Sequence, residues 1–297
     1  MSAAKADPSA TLAGIALALG GWAVFSAQDA IVKWLVVKLP VAEVLFARSV
    51  TVVVLAGLVV RRADFAAMLH RRHLAAIGSR AALVLVAWLA YYSASRSLQL
   101  TELVTLYFAA PLFVVALSNP LLGEIVGPWR WLATVVGFGG VVVAADLAQT
   151  PNLVPALLAL LAALCWAGTA ILARSLSQAV STAALMVGSN LAFVVACGLA
   201  APFVFVMPDL FSLGLMFGLG LVGTLGQFLL FEGLRRAPAS AVAPFEYSSL
   251  AWATLWSWTI FGDLPPRHVL VGAAIILGSG VLMLLLESRR KPNAARA

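Results

Sequence analysis

Apolar residues fall into ten blocks of near-equal length along this chain, separated by short polar punctuation. About 20 apolar residues let an α-helix cross ~30 Å of hydrocarbon. Runs this long and unbroken are helices, because in lipid only a helix or a closed barrel satisfies its own backbone hydrogen bonds. The blocks predict spans over roughly 11–36, 41–60, 74–97, 102–122, 129–146, 153–175, 182–205, 211–234, 239–261 and 268–286. The short connections leave no room for a soluble domain. Pro111, Pro202 and Pro244 lie inside spans, where neighbouring helices re-satisfy the freed backbone groups. The expected class is an all-α integral membrane protein of ten transmembrane helices.

Composition agrees with the pattern. A mean hydropathy of +1.02 with 10% charged residues would leave a soluble chain unable to cover its surface. The formal charge of +7 changes the picture through its placement. With the N-terminus inside, one side of the membrane collects Lys5, Arg61, Arg62, Arg71, Arg72, Arg130, Arg174, Arg235, Arg236, Arg289 and Arg290. The other side holds Lys38, Arg96 and Arg267. That asymmetry predicts cytoplasmic N- and C-termini, with 287–297 as a cytoplasmic tail. The basic face suits an anionic leaflet, and no basic–aromatic stripe points to nucleic acid. Cys165 and Cys197 lie within apolar spans and read as small core residues rather than a disulfide or metal pair. His70, His73 and His268 stand at loop edges without ligand spacing. Val24, Phe25, Ser26 and Ala27 mimic a signal-peptide cleavage site, yet the preceding region carries only Lys5. The first helix is therefore expected to be retained.

The chain is also written twice. A shift of 139 residues brings Arg96 onto Arg235, Gly123-Glu124 onto Gly262-Asp263 and Gly139 onto Gly278. A shift of 144 places Trp22-Ala23 on Trp166-Ala167. Two five-helix halves result, 11–146 and 153–286. Five crossings being odd, the second half enters the membrane from the opposite side. Inverted repeats of this kind are a recurrent construction in secondary transporters, with substrate held near the midplane between the halves. The alternative is a duplication kept only for stability.

These landmarks resemble a known family. Ala47-Arg48-Ser49 in the second span, Pro111 in the fourth, Gly123-Glu124 after it and the 137–140 glycines are similar to the drug/metabolite transporter superfamily, in its ten-helix form with two EamA-type repeats. The second half matches through Ala243-Pro244-Phe245-Glu246-Tyr247, Leu250-Ala251-Trp252-Ala253 and Phe261-Gly262-Asp263-Leu264-Pro265. Asp263 departs from the family's usual Glu, and Leu250 from a proline aligned with Pro111. Within the superfamily the aromatic core resembles YddG-type exporters of aromatic and other amino acids. The Ala-Pro-Phe-x-Tyr stretch resembles members regarded as S-adenosylmethionine carriers.

Several residues are candidates for substrate binding. Trp22 and Trp166 are repeat-equivalent and mid-span, placed either to wall in a flat substrate or to fill helix packing. Tyr91, Tyr92 and Tyr107 cluster in the third and fourth spans, with Tyr247 in the ninth. Tyr91 and Tyr92 point about 100° apart, so at most one is expected to face the centre and the other to place its hydroxyl at the interface. Glu246 is expected about two turns into the ninth helix, as a site for a substrate ammonium or a proton. Its alternatives are a salt bridge to Arg235 or Arg236, or snorkelling to the inner surface. Gln227 and Glu232 share a face of the eighth span. Asp29 and Lys33 are spaced i, i+4 and are expected to neutralise each other, while Glu43, Arg48 and Arg80 read as pairing groups. Neither a Walker loop nor a Ser/His/Asp set nor metal spacing occurs, so no catalytic residue, metal or cofactor is expected. The glycine runs at 137–140 and 278–280, with those of the eighth span, read as packing surfaces. The fifth and tenth spans are assigned to scaffold or dimer contacts.

The expectation is a secondary transporter of small organic metabolites in a bacterial inner membrane, a monomer or weak homodimer. It would export amino acids by alternating access between the repeats. S-adenosylmethionine carriage is the alternative within the class, and a non-transporting scaffold the alternative outside it. Topology is directly checkable: reporters active only in the cytoplasm, fused after Arg72 and after Arg290, should both score. A fusion within 148–152 should report the outside, and a cytoplasmic signal there would remove the inverted arrangement.

Overall fold

The computed structural model describes residues 8–58, 71–122, 128–145, 153–176, 182–236, 246 and 248–290. All regular structure among these residues is helical. In chain order the helices are α1 (Pro8–Lys38), α2 (Val41–Gly57), α3 (Arg71–Ser95), α4 (Leu100–Tyr107), α5 (Ala109–Leu122), α6 (Pro128–Ala145), α7 (Leu153–Leu176), α8 (Thr182–Val204), α9 (Leu210–Arg236), α10 (Ser248–Phe261) and α11 (Arg267–Arg290). The first span is longer than its apolar block, and the fourth is broken at Phe108 into α4 and α5. Among the described residues, five segments are long and apolar enough to cross a membrane by length and composition: Leu12–Lys38, Ala75–Ser95, Leu100–Leu117, Met186–Val204 and Leu210–Leu230.

Which side chains face inward follows from residue size. On α7, Ala156, Ala159, Ala162 and Ala163 are at most 1% exposed, whereas Leu157, Leu161 and Leu164 are 38–53% exposed. Water would reverse that distribution. In lipid a leucine gains nothing by leaving the surface, and small residues let backbones approach closely.

The helix pairing carries the duplication. The most extensive contact, α1 on α9, has α3 on α7 as its counterpart in the repeat. Likewise α2 on α9 mirrors α3 on α8, and α1 on α10 mirrors α5 on α7. The pairs α2–α8 and α6–α11 are their own counterparts. All of these contacts join one half to the other. The two repeats are intertwined, so neither half has a complete core alone.

Helices α6 and α11, expected to serve scaffold or dimer contacts, pack closely on each other. A Cβ on Gly272 would lie 2.6 Å from the Gly140 carbonyl oxygen and 2.7 Å from the Ala144 nitrogen, and one on Gly140 would lie 2.9 Å from the Gly272 carbonyl. These glycines bring two backbones together within one chain. Gly139 and Gly278, the repeat-equivalent pair, face open space. On α9, Gly220 sits against Thr51 and Gly226 against Val24 and Phe25, while Gly218 is open.

The helix ends are locally explained. Asp209 caps α9: its Oδ1 accepts the Ser212 N–H at 2.8 Å and its Oδ2 the Ser212 hydroxyl at 3.0 Å. The bond from the Ser212 amide holds this carboxyl below the usual carboxylate range, so the cap is intact at neutral pH and is lost as pH falls through that lowered value. Gly262, with φ of 71°, turns the chain sharply after α10 and returns the Asp263 N–H to the Ser257 carbonyl at 3.0 Å.

Because the α6–α11 seam has backbone on both sides, Gly272→Ala should lower the thermal midpoint in detergent by several degrees, the effect of about 1–3 kcal/mol of overpacking. Gly278→Ala should be neutral. Equal effects from both would mean that the seam is not what limits stability.

Candidate functional site

The candidate site forms at the break in the fourth span and at the start of α10. Tyr107 is the last residue of α4, and Pro111, lacking an N–H, leaves the Tyr107 carbonyl without its helical donor. In the second half Glu246 stands in a 3₁₀ turn just ahead of α10. The repeat offset of 139 residues carries Tyr107 onto Glu246, so the two are counterparts. They lie within electrostatic reach of each other. Interrupted helices at repeat interfaces are where transporters hold their cargo.

Two further groups complete the cluster. The Tyr91 ring on α3 meets the Tyr107 ring edge-on, with centroids 5.2 Å apart and planes at 74°. The Tyr91 hydroxyl donates to Asp29 Oδ2 on α1 at 3.1 Å. Asp29, Tyr107 and Glu246 lie deep in the bundle, yet each keeps part of its surface accessible. The result is one carboxylate from each half with two phenols between them. A carboxylate attracts an ammonium group or carries a proton, and the phenols offer apolar faces with single polar tips.

The sequence expectations fare unequally. Tyr91, Tyr107 and Glu246 are brought together. Glu246 precedes its helix instead of lying two turns inside it, and the Ser249 hydroxyl bonds its backbone carbonyl at 2.8 Å rather than its carboxylate. Arg236 is paired with Glu232 at 2.8 Å, which removes Arg236 as the partner of Glu246 and Glu232 from the site. Asp29 and Lys33 do not neutralise each other: Asp29 takes the Tyr91 hydroxyl, and Lys33 donates to the Leu98 carbonyl at 2.7 Å. Neither Tyr91 nor Tyr92 lies at an interface; they are 8% and 0% exposed. Tyr92 stacks edge-on against Trp88, with centroids 5.3 Å apart. Trp22 is half-buried beside Phe25 at 6.0 Å, Trp166 is 39% exposed, and no ring contact among the described residues joins them. Gln227 is half-buried on α9, with no hydrogen bond to the cluster among the described residues. Tyr247 lies outside the described residues.

Two participants were under-read. Asp29 was legible as a carboxylate inside an apolar run, a costly placement, but the nearby Lys33 supplied a misleading partner. Arg48 on α2 is 7% exposed, lies 4.2 Å from the centre of the Trp88 ring, and is within electrostatic reach of Asp29 and Tyr92. Its ring partner is a buried cation–π contact. Gly223 makes room for it, since a Cβ there would collide with Gln28 Oε1 and lie 3.4 Å from Arg48 Nη2.

Comparison with known proteins decides what kind of machine this is. The model of the EamA-like transporter family matches residues 12–145 and again 153–285. The chain belongs to that family. Among its curated relatives, a riboflavin transporter of Rhizobium johnstonii is 29% identical over 97% of this chain and 96% of the relative. A pseudopaline exporter, CntI, of Pseudomonas aeruginosa is 28% identical over 89% and 93%. An S-adenosylmethionine uptake transporter of Rickettsia bellii is 29% identical over 64% and 65%. A solved crystal structure shares the fold with a TM-score of 0.62 at 20% identity, over 95% of this chain and 99% of that one. As an EamA-like transporter, this protein is a multi-pass membrane carrier of small metabolites, not an enzyme.

The two buried phenols separate bonding from mere burial. Tyr91→Phe keeps the ring contact and deletes the bond to Asp29, and should cost about 1 kcal/mol of stability, read as a lower thermal midpoint in detergent. Tyr92→Phe deletes a buried hydroxyl that has no hydrogen-bond partner among the described residues and should be neutral or stabilising. The reverse ranking would show that the Tyr91–Asp29 bond does not hold α3 to α1.

Proposed function

We propose that this EamA-like transporter exports amino acids, aromatic ones included, across a bacterial inner membrane by alternating access between its repeats. The observation that carries this reading is the paired arrangement of Asp29 and Glu246, one from each half, around the edge-on rings of Tyr91 and Tyr107. A substrate ammonium has a carboxylate to meet in either repeat, and an aromatic side chain has ring edges to lie against. The resemblance to YddG-type exporters supports the substrate class, the Pseudomonas relative supports the outward direction, and the bacterial relatives support the membrane. The charge asymmetry supports cytoplasmic termini. The inward-turned glycines of α6 and α11 support a chain that works as a monomer. Trp22, Trp166, Gln227 and Tyr247 complete the proposed lining.

A second reading is carriage of a flat heterocyclic solute such as a flavin or S-adenosylmethionine. It is favoured by the riboflavin transporter that matches along nearly its whole length. Reconstitution into liposomes with labelled amino acids, riboflavin and S-adenosylmethionine, with and without a pH gradient, separates the two. Uptake of none of the amino acids would defeat the first reading.

Within that assay Glu246→Gln keeps the shape and removes the charge. The variant should insert normally, lose most transport, and show a flatter pH dependence than the parent, with Asp29 as the carboxyl left to titrate beside Tyr91 and Tyr107. Near-normal flux would take Glu246 out of the mechanism. Trp22→Ala and Trp166→Ala should reduce flux of aromatic solutes more than of alanine or threonine, by about fivefold for ~1 kcal/mol of lost aromatic contact. Equal losses for every solute would make both residues packing.

A further inference from the structure

One end of the bundle is sealed, and a single lysine ties the seal together. Lys33 lies one turn beyond Asp29 on α1, about 6 Å along the axis, and is 8% exposed. Its ammonium donates to the Leu98 carbonyl, in the link between α3 and α4, at 2.7 Å. It also reaches across to the second repeat, 3.8 Å from Asp263 Oδ2 and 5.1 Å from the centre of the Phe261 ring. Glu102, at the start of α4, lies within electrostatic reach. Around this point Val32, Leu35, Val36, Leu98, Leu100 and Leu103 are all 0% exposed, whereas residues 22–25, toward the other end of α1, are half-buried. Burial beside Asp29 is thus tighter toward the Lys33 end than toward the Trp22 end.

The geometry points to Lys33 and Asp263 as the gate latch of this transporter, an inter-repeat ion pair that must part before the substrate cleft opens at the end where α1, α3 and α10 terminate. Lys33 is held to the first repeat by a short hydrogen bond, whereas its link to the second is long and ends on a carboxylate whose side chain is 36% exposed. The weak link is therefore the one between the halves, and water at the rim is ready to take over the Asp263 carboxylate when the halves separate. Gly262 serves the latch: its left-handed turn, which a residue with a side chain rarely adopts, carries Asp263 back over the end of α10 toward α1. Lys33 and Asp263 are positioning residues. They do not touch the substrate.

The test reads conformation without any substrate, so its failure is distinguishable from a wrong substrate assignment. Thr105 is 0% exposed and lies on α4 between Glu102 and Tyr107. With Cys165 and Cys197 replaced by alanine, Thr105→Cys is labelled with a membrane-impermeant maleimide applied to each face of oriented vesicles. Asp263→Asn should raise labelling from the Lys33 side roughly three- to fivefold, the factor for losing a partly exposed ion pair, and lower it from the other side. Asp263→Glu keeps the charge and lengthens the reach, and should label at or below the parent rate. Lys33→Met, which also loses the Leu98 bond, should exceed Asp263→Asn. Unchanged labelling in Asp263→Asn overturns the latch. So does an Asp263→Glu variant that labels like Asp263→Asn, because the aspartate would then matter only to its turn.

Discussion

A hydrocarbon solvent accepts no hydrogen bonds, and the structure is organised by that refusal. A polar side chain inside the spans is costly unless it finds a partner within the protein. Arg80 does so across repeats, donating to the Ser189 hydroxyl at 2.8 Å. Glu43 pins the α8–α9 turn by accepting the Val206 N–H at 3.1 Å. Arg96 binds the Val36 and Leu39 carbonyls at 2.6 and 2.7 Å, closing the open end of α1. Apolar burial cannot drive such helices together, because lipid tails are as apolar as leucine. Close backbone contact at the glycines and these few polar ties hold the halves in register.

The same constraint shapes the candidate site. A continuous helix hides its backbone and leaves nothing for a polar solute to bind. The break in the fourth span after Tyr107 frees a carbonyl, and the repeat sets Glu246 at the equivalent position of the second half. The pair is not identical: a tyrosine stands in the first half and a glutamate in the second.

Along α1 the polar groups are stacked in order of depth. Asp29 holds the Tyr91 hydroxyl, Lys33 one turn on holds the Leu98 carbonyl and faces Asp263, and Lys38 ends the helix with its ammonium 5.1 Å over the Trp34 ring. Opposite α1 stands α9, its most extensive partner, whose glycines let it lie close.

The spans were legible in the sequence because a membrane helix is a one-dimensional signal: a length of apolar residues set by bilayer thickness. The duplication was legible too: the family model matches once in each half, over 12–145 and 153–285. Tyr91, Tyr107 and Glu246 could be nominated from the cost of placing polar groups in apolar runs. Their partners could not. Spacing along a chain says which residues neighbour each other on one helix, which is why Asp29 and Lys33 read as a pair. Where two helices cross is settled by glycines and side-chain shape on both surfaces at once. That crossing turned Asp29 to Tyr91, sent Lys33 to Leu98 and Asp263, buried Tyr92, and left Trp166 facing outward. Local spacing determined the helices, and only the packing of distant helices could decide which polar groups meet, because in lipid each must take whichever partner the crossing brings within reach.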